Sequence, residues 1–483
     1  MRTVNFLDRN SLRLILISGI ALRLFQWIYD RSLWVDEAML ALNLRDLDFS
    51  GLMHPLKYDQ VAPILFLWTE RFMVSVFGDN EMALRMFPLL CGVAVLVLAY
   101  KVTLKATGEK GIATAVIFLF AFSRCFVYFS TETKQYSSDL LVSLAYLHTL
   151  LSTAENRNIR LLIISLIAVW LSNIGIVMIT TTAFAFLLEQ YRNRKFDIRQ
   201  WVVVALSGAW FIVYFMVFIK GHPSGETMDD YWEQHFLPVD PTNVKFWVWL
   251  VQHFVGNYST FLGLNIHLDD GYRAAAGTFA AAMAFAGIMR WYNTKERADW
   301  LPVLSAPIVI HLVLAALRLY PFNGRLILYL SPSFLIIAGY GAQGIFLWTR
   351  HFLLVRLCGI AAAGAFIYFI SVWAPIRLEE MKDCMQYVNA RRCQPLFAYA
   401  AAIPAATYYS EGGSTGKTGH LMKGLELKST RDTAEISSSI LRNDTVWVIT
   451  AHKDAQVEEI VRMRPGAEKV LVTEGAAVIR LVR

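Results

Sequence analysis

Two adjacent acids stand in the run Trp34-Val35-Asp36-Glu37, just beyond the end of a long apolar stretch. A carboxylate placed there, where a lipid headgroup meets water, suits a general base that takes a proton from a hydroxyl. A second group collects at Ser130-Thr131-Glu132-Thr133-Lys134-Gln135-Tyr136, an acid, a base and a phenol in one short turn. Arg85 and Arg325 stand at the edges of two further apolar runs, and Asp59 lies downstream of the first acid pair. Cations beside acids at a membrane edge fit the binding of a phosphate. Arginine and lysine neutralise a departing phosphate, while a carboxylate accepts the proton of an attacking hydroxyl. The substrate class this points to is a lipid phosphate. The plainer alternatives are a solvated pair of acids and arginines that snorkel to the membrane surface.

The elements that must hold these groups are set by composition. Of 483 residues, 56% are hydrophobic and 17% charged, and mean hydropathy is +0.43. That is too apolar for an ordinary soluble chain and predicts a polytopic α-helical membrane protein. The net charge of +7 lies in short basic clusters between apolar runs, which is membrane topology rather than a nucleic-acid footprint. Five cysteines exclude a disulfide scaffold and match no structural zinc spacing.

Apolar stretches near 12–28, 82–100, 111–129, 138–153, 160–189, 201–219, 272–290, 300–318, 326–346 and 352–374 can cross a bilayer. The run 160–189 holds two spans, broken at Ser172, Asn173 and Gly175, which makes about eleven in all. The Lys and Arg clusters all face the cytoplasm if the N-terminus is inside and two apolar segments, 61–77 and 246–264, do not cross. Glu70 and Arg71 support that exclusion, since an interfacial helix keeps both charges wet. The acids and cations named above then share the extracytoplasmic face. So does the tail, where helical stretches such as 379–392 alternate with strand-like ones such as 445–450 and 470–473. The predicted division is a membrane domain, 1–375, and a small extracytoplasmic α/β domain, 376–483.

At these residues the chain resembles a known group. The order WVDEA, YDQVAPILFLW, FGDNEMALRMFPLLCG, TETKQYSSDLL, YPFNGRLILYLSP is similar to that of bacterial membrane glycosyltransferases of the GT-C superfamily. The branch is the one related to protein O-mannosyltransferases and lipid A aminoarabinose transferases, and the resemblance covers roughly residues 10–375. It implies inverting transfer of a sugar from a polyprenyl-phosphate donor to a cell-envelope glycan, lipid or protein acceptor, at the outer face of a bacterial plasma membrane. It implies Asp36 as the catalytic acid of the first loop, with Glu37 its neighbour, and an E-x-x-x-Y turn at Glu132 and Tyr136. Arg85 matches the arginine of an ALR-x-P pattern, and Arg325 an arginine that binds phosphate. Asp36, Glu37 and Glu132 are therefore the expected catalytic set. Arg85, Lys134, Tyr136 and Arg325 are the expected donor-phosphate ligands, with Asp59 and Gln60 positioning donor or acceptor. The chain departs from the family where Gln60-Val61-Ala62-Pro63 replaces His-Pro-Pro. It departs again where Lys134, a point charge, replaces an arginine fork.

No cofactor is required by this reading, and a divalent cation is compatible with it. His222, Glu226, Asp229, Asp230, Glu233 and His235 crowd one loop and are candidates for such an ion, although a hydrophilic loop needs none. Asp46-Leu47-Asp48 has a metal-binding D-x-D form that a solvated loop explains more simply. Gly416-Lys417-Thr418 lacks the earlier glycine of a phosphate loop, because Glu411 stands there. Cys384 and Cys393 can pair only if a helix ends between them. Rival functions are a polysaccharide polymerase or ligase using diphosphate-linked glycans, a lipid or solute transporter with Asp139 and His148 in the fourth span as its best candidates, and a membrane-anchored scaffold.

Overall fold

The computed structural model describes residues 2–220, 231–263, 270–294, 300–349, 375–410, 426–451, 454–462 and 466–483. The predicted span 352–374, the Gly416-Lys417-Thr418 run and His222, Glu226, Asp229 and Asp230 lie outside the described residues. Contacts divide the chain into two compact units. One comprises Met1–Phe25, Ala62–Phe66 and Pro88–Ala374, the other Gln26–Val61, Leu67–Phe87 and Pro375–Arg483.

The helices in chain order begin with α1 Arg2–Ile28, α2 Val35–Asp46, α3 Ile64–Phe77, α4 Glu81–Leu84, α5 Met86–Thr107, α6 Lys110–Phe122 and α7 Arg124–Phe129. They continue with α8 Tyr136–Leu150, α9 Arg157–Leu171, α10 Gly175–Asn193, α11 Ile198–Tyr214, α12 Val244–Phe261, α13 Asp270–Asn293, α14 Trp300–Ala316 and α15 Ser331–Thr349. Among the described residues four stretches are long and apolar enough to cross a membrane, Asn10–Ile28, Glu81–Thr107, Ile198–Ile219 and Leu328–Thr349, and α6 and α14 are shorter apolar helices. The protein is a multi-pass membrane protein.

Within the first unit, polar groups mark where helices stop and lock. Ser172 and Asn173 interrupt the apolar run, so α9 ends at Leu171 and α10 starts at Gly175, as the sequence predicts. The Ser172 hydroxyl then donates 2.5 Å to Asp139 in the first turn of α8, which ties the break to a neighbouring helix. Arg23 of α1 is fully buried and donates to Gly19 O, Ala121 O and Phe120 O. Two of these carbonyls belong to the last turn of α6, where backbone acceptors have no intrahelical partner. α13 and α15 approach backbone to backbone at Gly287 and Gly341, where any Cβ would run into main-chain atoms of the other helix. In a membrane such close approach is the main source of helix association.

The second unit carries a five-stranded sheet of order β2-β1-β3-β5-β4, with β1 Leu396–Tyr399, β2 Leu427–Thr430, β3 Thr445–Ala451, β4 Glu468–Thr473 and β5 Ala476–Val482. β1 runs parallel to β2 and β3, and β5 antiparallel to β3 and β4. Parallel pairing needs crossover segments. These contain α17 Ile403–Ser410 and α18 Thr433–Arg442, after α16 Met381–Ala390 has led into the sheet; α19 Asp454–Arg462 joins β3 to β4. Phe397, Ile436, Ile440, Val446, Val448, Ile479 and Leu481 form its core. α16, β3 and β4 fall where the sequence predicts a helix and two strands.

One expectation has a different physical basis in the structure. α3 has 14 residues, about 21 Å of helix against a hydrocarbon core of about 30 Å, yet its acid is not wet. Glu70 is fully buried, on the same face as Leu67 and Val74, and both its oxygens lack a hydrogen-bond partner among the described residues. Burial holds this carboxyl well above the usual carboxylate range, so the folded protein keeps it protonated. The unfolded chain releases the proton near pH 4.5, so the contribution of Glu70 is most favourable below that pH and is lost as pH rises. Glu70→Gln, which carries no ionisable group, should match wild type in thermal unfolding near pH 4. It should be more stable than wild type near pH 8, where the native state of wild type must either hold the proton against the solvent or bury a charge. Parallel melting curves across that range would exclude a buried acid here.

Candidate functional site

Asp36 and Glu37 are the second and third residues of α2, and the structure gives them different surroundings. Asp36 is half-buried, whereas Glu37 is fully buried. The Glu37 carboxylate is clasped by two guanidinium groups. Arg31 donates Nη1 to Oε2 at 2.6 Å and Nη2 to Oε1 at 3.3 Å. Arg85 donates Nε to Oε1 at 3.0 Å and Nη2 to Oε2 at 2.9 Å. Arg85 also donates to the carbonyls of Arg31, at 2.7 Å, and Ser32, at 3.1 Å. Such paired forks are the strongest hydrogen-bonded ion pairs proteins make. They fix the segment 31–37 that leads into α2, so Arg85 neither snorkels nor presents its fork outward.

Further bonds hold the rest of this loop. Asn43 of α2 donates to Lys57 O and accepts from Lys57 N–H, pinning the returning chain. Arg71 donates 3.0 Å to Leu44 O, near the C-terminal end of α2, where a cation and a carbonyl acceptor match. Tyr58 and Asp59 take left-handed backbone angles, with φ of 63° and 53°. Asp59 is exposed, whereas Gln60 is buried and donates to Tyr58 O and to the Met39 sulfur.

The other predicted residues, Glu132, Lys134, Tyr136 and Arg325, belong to the first unit. The turn between α7 and α8 buries Glu132 and Lys134, and Tyr136, the first residue of α8, is buried too. It packs so tightly on α5 that a Cβ at Gly92 would overlap Ser130. Arg325 is half-buried, its guanidinium over the Trp232 ring at 5.6 Å. The segment that carries it is tethered at two points. His311 Nε2 donates to Pro321 O at 3.2 Å, and its Nδ1 faces the Tyr329 hydroxyl at 2.6 Å. His235 O accepts the Phe322 N–H at 2.9 Å.

Beside Arg325 lies a cavity of about 510 Å³, lined by His235, His253, Asn257, Ser259, Phe322 and Asn323 among others. Carbonyls accept only, so His253 Nδ1 donates to Trp249 O at 3.0 Å. That leaves His253 Nε2 to accept from His235 Nδ1 at 3.2 Å, and His235 Nε2 to accept from Asn323 at 2.8 Å. Burial lowers both imidazoles, His253 to about 4, so both are neutral at pH 7. The cavity thus offers amides, hydroxyls, neutral imidazoles and rings, with the Asp270–Arg273 ion pair also in its wall. Ser259 Oγ, on a residue 3% exposed, has no partner among the described residues.

His235, a candidate ion ligand in the sequence, bonds Phe322 and Asn323 of the Arg325 segment. Among the described residues no group of three or more His, Cys, Asp and Glu side chains is placed to hold a metal. α16 ends at Ala390, before Cys393, yet Cys384 and Cys393 are both free thiols. Residues that sequence reasoning missed are Arg31, His253, His311 and Asn323. Each is a single polar residue that belongs to no motif or spacing in the sequence.

Residues 61–219 match the family model of dolichyl-phosphate-mannose-protein mannosyltransferase. That stretch contains Arg85, Glu132, Lys134 and Tyr136, and over it the resemblance to the O-mannosyltransferase branch of the GT-C superfamily holds. No curated protein matches the chain in sequence. Among solved structures, ArnT from Cupriavidus metallidurans bound to undecaprenyl phosphate aligns over 96% of this chain and 97% of its own, at 13% identity and TM-score 0.48. The oligosaccharyltransferase AglB from Archaeoglobus fulgidus, in complex with an inhibitory peptide and a dolichol-phosphate, aligns over 92% of this chain and 69% of its own, at 11% identity and TM-score 0.48.

Proposed function

We propose that this protein is an inverting glycosyltransferase of GT-C type. It moves a sugar from a polyprenyl-phosphate donor to a cell-envelope glycan, lipid or protein acceptor at the extracytoplasmic face of a plasma membrane. The observation that carries this reading is the family-model match over 61–219, which takes in four of the residues singled out for chemistry. About eleven spans, a membrane domain of 1–375 and an extracytoplasmic domain of 376–483 belong to the same proposal.

In this mechanism Asp36 removes the proton of the acceptor hydroxyl as its oxygen attacks the anomeric carbon. The bond from that carbon to the phosphate oxygen breaks, and its electron pair leaves with the polyprenyl phosphate. Lys134, Tyr136 and Arg325 stabilise the departing phosphate, Lys134 as a point charge and Arg325 as a fork. Glu132 assists from the same turn as Lys134, while Asp59 and Gln60 position donor or acceptor. Glu37 and Arg85, engaged with each other, hold the loop that presents Asp36. The cavity beside Arg325 suits a sugar ring, whose hydroxyls take amide and imidazole partners while its apolar face meets an aromatic ring.

Mass spectrometry of lipids and glycans from cells lacking the gene tests the reading. The expected result is accumulation of one polyprenyl-phosphate sugar and a glycan, lipid or protein missing that sugar, both reversed by the wild-type gene. Accumulation of a diphosphate-linked glycan instead would indicate a polymerase or ligase. Unchanged pools in a strain that expresses the protein would sink the transferase reading.

A further inference from the structure

The N-terminus of α2 bears Asp36, yet its own sequence does not cap it. Trp34 occupies the cap position and has no side-chain acceptor there. The missing acceptor comes from the tail, since the Val35 N–H donates to Glu379 Oε2 at 2.9 Å. Neighbouring residues are held the same way. The Leu33 N–H donates to the Tyr409 hydroxyl at 2.8 Å, Ser32 Oγ donates to Glu380 Oε2 at 3.1 Å, and Lys382 N–H donates to Ser32 Oγ at 3.0 Å. The Tyr409 hydroxyl passes its own hydrogen to Glu81 at 2.9 Å, and the Lys382 ammonium bridges Glu81 and Asp30 at 2.8 and 3.0 Å. Glu379, Glu380 and Tyr409 are all buried. Three of the four residues before Asp36 therefore owe a hydrogen bond to chain more than 300 residues away.

The acceptors are themselves seated on the sheet. Glu380 N–H donates 2.8 Å to Glu474 O, in the turn between β4 and β5, and Thr473 Oγ1, at the end of β4, donates 3.3 Å to Glu380 O. Gly475 completes that turn at φ +70, and a Cβ there would collide with the Leu378 carbonyl. A chain of direct contacts thus runs from the β4–β5 turn through Leu378–Glu380 to the backbone just before Asp36.

We infer that the tail sheet is the positioning frame of Asp36, with Glu379 capping α2 across the chain and Gly475 seating the segment that carries Glu379. The inference rests on the reading of Asp36 as the base. Glu379 is a positioning residue, one that sets the direction of the Asp36 carboxylate without touching substrate. Deleting the tail is the wrong test, because it removes most of the chain that makes up the unit.

The test uses the full-length protein in detergent or nanodiscs, with Glu379→Ala, Glu379→Gln and Gly475→Ala, read by amide hydrogen exchange and by steady-state transfer. In Glu379→Ala the Val35 amide should exchange about tenfold faster. kcat should fall about 10- to 100-fold, as expected for a misplaced reacting group, with donor KM within about twofold of wild type. Glu379→Gln keeps an acceptor oxygen and should restore most of both. Gly475→Ala leaves residues 32–35 and Glu379 chemically intact and should reproduce the fast Val35 exchange, which keeps the inference testable if Glu379→Ala fails to insert. Unchanged Val35 exchange in either variant, or a rise in KM with kcat intact, would overturn it. Failure of the base assignment is separate, because it would appear as an active Asp36→Asn while the exchange effects persist.

Discussion

Replacing Asp36 by Asn should lower turnover by about 10²–10⁴-fold, the range that a positioned general base contributes, and leave melting temperature and membrane insertion at wild-type values. Asn is isosteric and keeps an acceptor oxygen, so what it removes is the capacity to take a proton. Asp36 is half-buried at the first turn of α2, and the two arginine forks that fix this loop close on its neighbour Glu37. Donor binding should persist, because the phosphate is assigned to Lys134, Tyr136 and Arg325. The measurement is single-turnover transfer alongside donor binding, with purified protein in lipid nanodiscs. The base assignment is falsified if Asp36→Asn turns over within tenfold of wild type. A loss of donor affinity without loss of single-turnover rate would move Asp36 from proton transfer to substrate binding.

The membrane helices were legible because their signal is local. The polar break at Ser172 and Asn173 stands out against an apolar background, and α9 and α10 end and begin around it. In the tail, β3 was visible through Val446 and Val448, while β1, four wholly buried residues, has no alternation to betray it. The acids and cations stand out by type, but their surroundings do not, since Asp36 and Glu37 are neighbours in sequence, one half-buried and one fully buried. That difference is made by Arg31, an ordinary loop arginine until its fork meets Glu37, and by Glu379, whose partner lies 344 residues away. Glu70 shows the same limit from the other side. A charge count assigns it to water, whereas helical phase alone puts it on the face of Leu67 and Val74, inside the protein.

Glu37→Gln should be the most destabilising single change in this region, costing about 3–5 kcal/mol, because it strands two guanidinium groups in a buried site. The side chains of Arg31 and Arg85 are 1% and 2% exposed, and that of Glu37 is 0%. The amide has one acceptor oxygen where the carboxylate uses two, and it supplies no charge to offset two cations. Arg85→Lys should cost less but still measurably, because an ammonium cannot reproduce the simultaneous contacts of Nε, Nη1 and Nη2 with Glu37 and the carbonyls of Arg31 and Ser32. Combining Glu37→Gln with Arg85→Met should cost less than the sum of the two, since each change relieves a charge that the other leaves unpaired. Thermal unfolding in detergent reads all three. A Glu37→Gln protein that melts within about 1 °C of wild type would show the pair to be solvated in the membrane-bound protein. The two acids can then be told apart by crossing the readouts. Asp36→Asn should lose chemistry at unchanged stability, while Glu37→Gln, assayed well below its melting temperature, should lose activity only as the loop before Asp36 loosens, with faster amide exchange at residues 31–35 accompanying every loss in kcat.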